Sequence, residues 1–291
     1  MNPLELVNLT QLMERTSGRP EIVVALIDGP VLVEHPDLSL CDIRDLSGTP
    51  SGSCSQARSV ACVHGTLVAG ILSAKRGGVA PAICPNCTLL VRPIFLELTS
   101  ADGSLPSATP DELADSIADC IGAGAVVLNM SVGLTPSANE DHGLQKVLDY
   151  AAKRGVITVA AAGNHSSLGS SVITRHPWVI PVTASDLQGN LSPTSNIGNA
   201  IGKNGLSAPG EHIPSLGTDG KPRSIGGTSA ATPFVTGTVA LLWSEFPDAS
   251  AGEIKAAVTQ AHRRRRTLVP PILDAQAATE MMSEARIRGN A

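Results

Sequence analysis

Short apolar runs alternate along the chain with segments in which apolar positions recur every three or four residues. Continuous apolar runs are typical of parallel strands that are buried on both faces. Such runs predict strands at 22–27, 89–91, 125–130, 156–160 and 178–182. Helical spacing predicts helices near 65–75, 110–122, 141–154, 228–246 and 251–262. This alternation of strand and helix predicts an α/β protein with a doubly wound, mainly parallel sheet and helices on both faces.

The chain shows no internal repeat and no composition change that would separate two domains. Stretches rich in Gly, Pro and Ser predict loops at 47–55, 163–171 and 202–222. We expect one domain over residues 1–279, of which 1–20 form an N-terminal extension, and then a polar C-terminal tail at 280–291. The four arginines at 263–266 are interpreted as a solvated helix end, where cations suit the helix dipole. A docking site for an acidic partner is the alternative.

Composition and charge narrow the class of protein. The 291 residues include 21 Lys and Arg against 26 Asp and Glu, a net charge of −5, and 2% aromatic residues. Nucleic-acid binding requires a basic groove and stacking rings, so no nucleic-acid partner is expected. No apolar run approaches the roughly 18 residues of a membrane span, so no membrane partner is expected either. The first 20 residues carry no secretory signal pattern, which predicts a cytoplasmic protein.

The six cysteines leave several possibilities open. They are Cys41, Cys54, Cys62, Cys84, Cys87 and Cys120. In a reducing compartment most such cysteines are small buried hydrophobes. Cys84 and Cys87 form a CxxC pair, which could join Cys54 and Cys62 in a zinc site. A disulfide within the CxxC pair or across a longer loop is the other alternative.

Three polar residues lie where reacting groups are expected in an open α/β sheet. Such groups belong just beyond the carboxyl ends of the strands. Asp28 ends the first predicted strand, and His64 opens a helix. Ser229 lies at the start of a long apolar helix, where backbone N–H groups and the helix dipole favour developing negative charge. Pro233 is tolerated because it lies near the first turn of that helix.

Four motifs resemble those of the subtilisin-like serine proteases. They are IDGPV at 27–31, HGTLVAG at 64–70, AAAGN at 160–164 and GTSAATPFV at 227–235. Their order along the chain, Asp, then His, then Ser, is the subtilisin order. The resemblance extends over roughly residues 20 to 279 and implies a three-layer sandwich with a mainly parallel central sheet.

The resemblance implies a role for each motif residue. Ser229 would attack the peptide carbonyl, His64 would take its proton, and Asp28 would orient and stabilise the imidazole. Asn164 matches the side-chain donor of the oxyanion hole. Singly, each residue has an ordinary structural explanation as a turn former or helix cap. Together, four such motifs in this order favour the protease interpretation.

Two further segments resemble those that flank an extended substrate in this family. Ser131, Val132 and Gly133 would form one wall of the primary specificity pocket, and the backbone of Gly103 and Ser104 would form an edge strand. A peptide would then bind between them by strand addition. A plain surface turn is the alternative for Gly103 and Ser104.

The loop after the His64 helix is shorter than in relatives that bind calcium there. It consists of residues 75–78. We therefore expect no metal at this loop and no cofactor for the reaction, which needs only side chains and water.

The segments at 91–95, 174–182 and 205–211 are similar to one branch of the family, the cyanobactin maturation proteases. The expected function is therefore a serine endopeptidase that removes the leader from a ribosomally made precursor peptide. Ring-closing members of this branch carry a helical insertion between the catalytic Asp and His, and the interval from Asp28 to His64 shows no amphipathic stretch long enough for one. A general intracellular protease, a macrocyclase and a catalytically silent peptide-binding module remain alternatives.

Overall fold

The computed structural model describes residues 2–46, 54–97, 108–132, 141–260 and 267–289. The helices are α1 Pro3–Leu6, α2 Thr10–Arg15, α3 Val60–Ser73, α4 Pro110–Gly122, α5 His142–Lys153, α6 Val172–Arg175, α7 Asn199–Asn204, α8 Thr228–Glu245, α9 Ala251–Gln260 and α10 Ala275–Gly289. The strands are β1 Val23–Asp28, β2 Ile43–Asp45, β3 Thr88–Pro93, β4 Val127–Met130, β5 Ile157–Ala161, β6 Val179–Ser185, β7 Leu206–Pro209, β8 Ile213–Ser215 and β9 Arg223–Ile225. A 3₁₀ turn spans Pro36–Leu38.

A seven-stranded sheet forms the middle layer, in the order β2-β3-β1-β4-β5-β6-β7. All of its strand pairs are parallel. Successive side chains of a strand point to opposite faces, so Val24 and Leu26 of β1 belong to one core and Ala25 and Ile27 to the other. Strands β8 and β9 form a separate antiparallel pair.

Helices cover both faces of this sheet. Helices α3 and α8 pack in the first core, whereas α4 and α5 pack in the second. Nearly every residue of α8 is buried, including Phe234, because α8 crosses β4, β5, β6 and β7. The predicted α/β architecture, a subtilisin-like sandwich with a mainly parallel central sheet, is confirmed. No helix of the described residues is long and apolar enough to span a membrane.

The structure corrects three local predictions. Helix α3 begins at Val60 because the Ser59 hydroxyl accepts the N–H of Cys62, so His64 lies in the second turn and does not open the helix. The predicted loop at 202–222 contains the end of α7 and strands β7 and β8. The segment predicted as a polar tail begins inside α10, which extends to Gly289.

One arginine joins the N-terminal helices to the rest of the molecule. The guanidinium of Arg76, just after α3, donates to the carbonyl oxygens of Met13 and Thr16 on the N-terminal side. The same group donates to the carbonyl oxygens of Ala82, at 3.3 Å, and Ile83, at 2.7 Å. A single cation therefore satisfies four carbonyls from two separate segments, as a charged donor with a planar fork can.

Two of the six cysteines form a disulfide that closes a loop outside the CxxC pair, which is one of the possibilities left open by the sequence. A disulfide joins Cys54 to Cys62, which is two residues before His64 in α3. These sulfurs are therefore not available to complete a zinc site with the CxxC pair. Cys84 and Cys87 are buried free thiols, and the hydrogen bond with Cys87 together with burial raises the pKa of Cys84 well above its usual value. Burial likewise raises the pKa of Cys120 to about 12.

Candidate active site

The predicted catalytic residues, together with Ser131 of the predicted substrate pocket, come from three neighbouring strands and two helices. Asp28 is the last residue of β1, Ser131 directly follows β4, and Asn164 lies just beyond β5. Strands β1, β4 and β5 are adjacent in the sheet, so these residues share its carboxyl edge. His64 from α3 and Ser229 from the first turn of α8 complete the group, because these two helices pack against each other.

Asp28 and His64 are in direct contact. The Nδ1 atom of His64 lies 2.6 Å from Oδ1 of Asp28, which also accepts the N–H of Gly29 at 2.6 Å. Oδ2 of Asp28 is buried without a hydrogen-bond partner among the described residues. Since the carboxylate accepts the Nδ1 proton, the neutral imidazole carries no proton on Nε2, and Nε2 is free to accept one.

Two glycines allow helix α3 to approach the end of β1. A Cβ atom on Gly29 would lie 2.0 Å from the carbonyl oxygen of Ala61, and one on Gly65 would lie 2.4 Å from the carbonyl oxygen of Gly29. Any side chain at either position would force the helix away from the strand. The contact between Asp28 and His64 therefore depends on this close packing of backbone against backbone.

The environment of His64 favours its protonated form. Burial alone would lower the pKa of His64 because it disfavours the charged imidazolium. The negative charge and the hydrogen bond of Asp28 oppose burial and raise the pKa of His64 above its ordinary value. The Asp28 carboxylate is thus placed to stabilise a positive charge on the imidazole.

Two reciprocal hydrogen bonds connect Ser229 and Ser131. The hydroxyl of Ser229 donates to the carbonyl oxygen of Ser131 at 3.4 Å, and the hydroxyl of Ser131 donates to the carbonyl oxygen of Ser229 at 3.4 Å. The second bond compensates for Pro233, which has no N–H to donate to the carbonyl four residues before it. No hydrogen bond joins Ser229 to His64 in the described part of the chain, and such bonds often tighten only when substrate binds.

A buried polar network extends from this pair into the core. Asn129 is fully buried on β4, where its amide donates to the hydroxyl of Ser131 at 3.2 Å. Its carbonyl oxygen accepts a hydrogen bond from the hydroxyl of Thr236 at 2.8 Å, and Thr236 lies two turns after Ser229 in α8. Neither Asn129 nor Thr236 is among the site residues predicted from the sequence. Their signal was a polar residue inside an apolar strand and another inside an apolar helix.

Asn164 faces the start of α8. Its Oδ1 atom accepts the N–H of Thr228 at 2.9 Å, and the N–H of Gly163 donates to the Thr228 hydroxyl at 3.3 Å. A backbone N–H can only donate, so its partner must be the amide oxygen, and the Nδ2 donors of Asn164 remain available to another acceptor. The Asn164 side chain is exposed, so a ligand can reach these donors.

The residues predicted to bind substrate divide into two groups. Ser131 and Val132 follow β4 and are both buried, and Ser131 is hydrogen-bonded to Ser229 at the start of α8. Gly133, Gly103 and Ser104 lie outside the described residues. Their predicted contacts with an extended peptide remain predictions.

One group of metal-ligand side chains clusters within the described residues, and its atoms are already engaged. Cys54 and Cys62 form the disulfide, and Glu97 lies next to them. The Glu97 carboxylate accepts the N–H groups of Ser55, at 2.8 Å, and of Gln56, at 2.9 Å. This carboxylate therefore fixes the segment before α3 and leaves none of the three residues free as a ligand.

The chain resembles known proteins over nearly its whole length. The sequence model of the Subtilase family matches residues 19–278. The chain belongs to the subtilase family. The thermostable alkaline protease of Halalkalibacterium halodurans is 29% identical over 239 residues, which covers 81% of this chain and 61% of that protein. This subtilase thus spans less than two thirds of that relative.

Two solved structures superpose closely on this subtilase. A serine-to-alanine mutant of the protease domain of PatA, a patellamide maturation protease, has 30% sequence identity and a TM-score of 0.83, and the match covers 92% of this chain and 97% of that domain's chain. The prenylagaramide maturation protease PagA has 29% identity and a TM-score of 0.83, covering 94% of this chain and 98% of PagA's. The resemblance predicted from the motifs, to subtilisin-like proteases and to the cyanobactin branch among them, is confirmed.

Proposed function

We propose that this subtilase is a serine endopeptidase that removes the leader from a ribosomally made precursor peptide. The observation that carries the proposal is the 2.6 Å contact between His64 Nδ1 and Asp28 Oδ1 at the sheet edge where α8 presents Ser229. The similarity to PatA and PagA, both described as maturation proteases, supports a precursor peptide as the substrate.

In the proposed mechanism, Nε2 of His64 removes the proton of Ser229 as its Oγ attacks the scissile carbonyl carbon. The imidazolium that forms is stabilised by Asp28, whose charge raises the pKa of His64. Nδ2 of Asn164 and the backbone N–H of Ser229 stabilise the oxyanion, since N–H groups in the first turn of a helix lack intrahelical acceptors.

His64 then gives its proton to the leaving amine, and the C–N bond breaks to leave an acyl-Ser229 ester. Water attacks this ester with His64 again as the base, which releases the carboxylic acid and regenerates the Ser229 hydroxyl. Each proton in these steps moves between Ser229, His64, the leaving amine and water.

Labelling with a fluorophosphonate probe tests the activated serine. We expect the wild-type protein to be labelled and Ser229→Ala to lose the label, because the probe reacts with a serine whose proton is removed by a neighbouring base. Ser244→Ala is the matched control: it removes a buried serine of the same helix whose hydroxyl donates to the carbonyl oxygen of Ala240. Labelling that survives in Ser229→Ala would contradict the proposal.

Mass spectrometry of a peptide library that contains candidate precursors tests the substrate. We expect one dominant cleavage, at a leader boundary of one precursor, that disappears in Ser229→Ala. Cleavages scattered over unrelated peptides according to residue type would instead indicate a general protease. Absence of cleavage together with absence of probe labelling would indicate a peptide-binding module.

A further inference from the structure

Few neighbouring atoms pack against the Asn164 side chain. It is exposed, and its hydrogen bond goes to the N–H of Thr228. The backbone around it is irregular, because Gly163 has φ of +100° and Ser166 has φ of +51°. Glycine adopts a positive φ without strain, but a serine such as Ser166 keeps one only where the surrounding structure fixes it. Something outside this segment must therefore hold Asn164 in place.

Asn196 makes hydrogen bonds on both sides of Asn164. Its Oδ1 atom accepts the N–H of His165 at 2.9 Å and the N–H of Ser167 at 3.1 Å. Its Nδ2 atom donates to the carbonyl oxygen of Ala162 at 3.0 Å. Its own backbone N–H donates to the carbonyl oxygen of a fourth residue, Gly163, at 2.9 Å. One half-buried residue thus binds four backbone groups within the 162–167 segment.

The segment also fits closely against the Asn196 amide. A Cβ atom on Gly163 would lie 2.3 Å from Nδ2 of Asn196, so no other residue could occupy that position without displacing the amide. Asn196 itself lies in the connection between β6 and α7, which is a different part of the chain. The contact therefore fixes the Asn164 segment from outside.

We propose that Asn196 is a positioning residue of the oxyanion hole, acting through the backbone on either side of Asn164. The inference rests on the proposed role of Asn164 as an oxyanion donor. Such a donor works only when it is held where the oxyanion forms, and small displacements of catalytic groups cost much of the rate. Asn196 fixes the carbonyl of Ala162 and the N–H of His165, and hence the orientation of the peptide units that carry Asn164.

A double-mutant cycle on kcat tests the proposal, with each variant quantified by active-site titration. Asn164→Ala alone should lower kcat by about 10²–10³-fold. Asn196→Ala alone should lower kcat by about 10²-fold, with a smaller change in KM. In the Asn164→Ala background, Asn196→Ala should change kcat by less than about twofold, because the group it positions is already gone.

The outcomes separate the inference from the proposed function. Losses of kcat that multiply in the double variant would overturn the positioning role while leaving Asn164 as a donor. An unchanged kcat in Asn164→Ala would overturn the proposed oxyanion role itself. Asn190→Ala is the matched control, since it removes an amide of the same connection that bonds Asp186, and it should leave kcat unchanged.

A second variant covers the case in which Asn196→Ala fails to fold. Asn196→Asp keeps the acceptor for the N–H groups of His165 and Ser167 and loses the donor to Ala162. We expect a loss of kcat of less than about 10²-fold, and again almost none in the Asn164→Ala background. Equal losses of kcat in both backgrounds would overturn the proposal.

Discussion

The charge on His64 is controlled by one buried carboxylate. His64 acts as the proposed base only when it is neutral, and its pKa is raised because Asp28 outweighs the opposing effect of burial. Activity should therefore fall as the pH drops through a value above the roughly 6.5 of an unperturbed imidazole.

The pH dependence of kcat/KM measures this value, because its acid limb reports the free enzyme. An NMR titration of His64 in the Ser229→Ala protein should give the same pKa. In Asp28→Asn the carboxylate charge is lost while burial remains, so the pKa of His64 should decrease. An acid limb at or below about 6.5, or an unchanged pKa in Asp28→Asn, would contradict this account.

At the residue scale, the catalytic motifs could be predicted from the sequence, but the residues that hold them in position could not. Asp28, His64, Asn164 and Ser229 each stand in a motif of recognisable spacing. Asn196 stands among Ser, Thr and Gly residues, where an asparagine is expected simply to form a turn. Its role depends on the 162–167 segment lying beside it in space, and nothing in the local sequence encodes that contact.

At the scale of elements, the helices and strands with strong patterns were predicted and the polar ones were missed. The five predicted strands correspond to β1, β3, β4, β5 and β6. The two others of the sheet, β2 and β7, are its edges. Strand β2 is Ile-Arg-Asp and strand β7 is Leu-Ser-Ala-Pro, so neither shows an apolar run. An edge strand has only one neighbour and tolerates such residues.

We expect the attachment of helix α2 to depend on Arg76. Its guanidinium donates to carbonyl oxygens at the end of α2 and to carbonyl oxygens of the segment at 82–83. Arg76→Met should lower the free energy of unfolding by about 2–4 kcal/mol, because it leaves several carbonyls without a charged donor. Denaturant unfolding of the Ser229→Ala protein, which cannot digest itself under the proposed mechanism, measures the change.

Arg288→Met is the matched control, since it removes an exposed arginine that pairs with Glu284 on the same helix, and it should change stability by less than about 1 kcal/mol. A calcium chelator should hardly change the melting temperature of the wild-type protein, because the short loop at 75–78 is expected to hold no calcium; a marked drop would contradict that expectation. An Arg76→Met protein as stable as the wild type would show that other contacts hold α2.

At the scale of the whole molecule, the sequence could predict that the reacting groups lie at the carboxyl edge of the sheet, but not which strands are neighbours. The order β3-β1-β4-β5 places Asp28, Ser131 and Asn164 on adjacent strand ends. That order follows from crossovers that bury two separate cores at once, and no local pattern records it. The pairing of α3 with α8, which brings His64 to the same edge as Ser229, is equally non-local.

The chain between Asp28 and His64 bears on the fate of the proposed acyl-enzyme. Its described residues, which omit 47–53, contain the 3₁₀ turn Pro36–Leu38, strand β2 and the first turn of α3. No helical insertion of the ring-closing kind lies within them. None of these described residues forms a cover of that kind over the ester of Ser229, so we expect water to be the main acceptor of the acyl group.

Hydrolysis and ring closure give different products from one substrate, a peptide with a follower sequence and a free N-terminus. We expect linear cleaved peptide as the main product, with one oxygen from heavy-oxygen water in its new carboxyl group. Ser229→Ala should yield neither product, which excludes a contaminating protease. Because closure by the peptide's own amine releases no carboxyl group and takes up no solvent oxygen, a dominant unlabelled cyclic product would contradict the assignment as a leader-removing hydrolase.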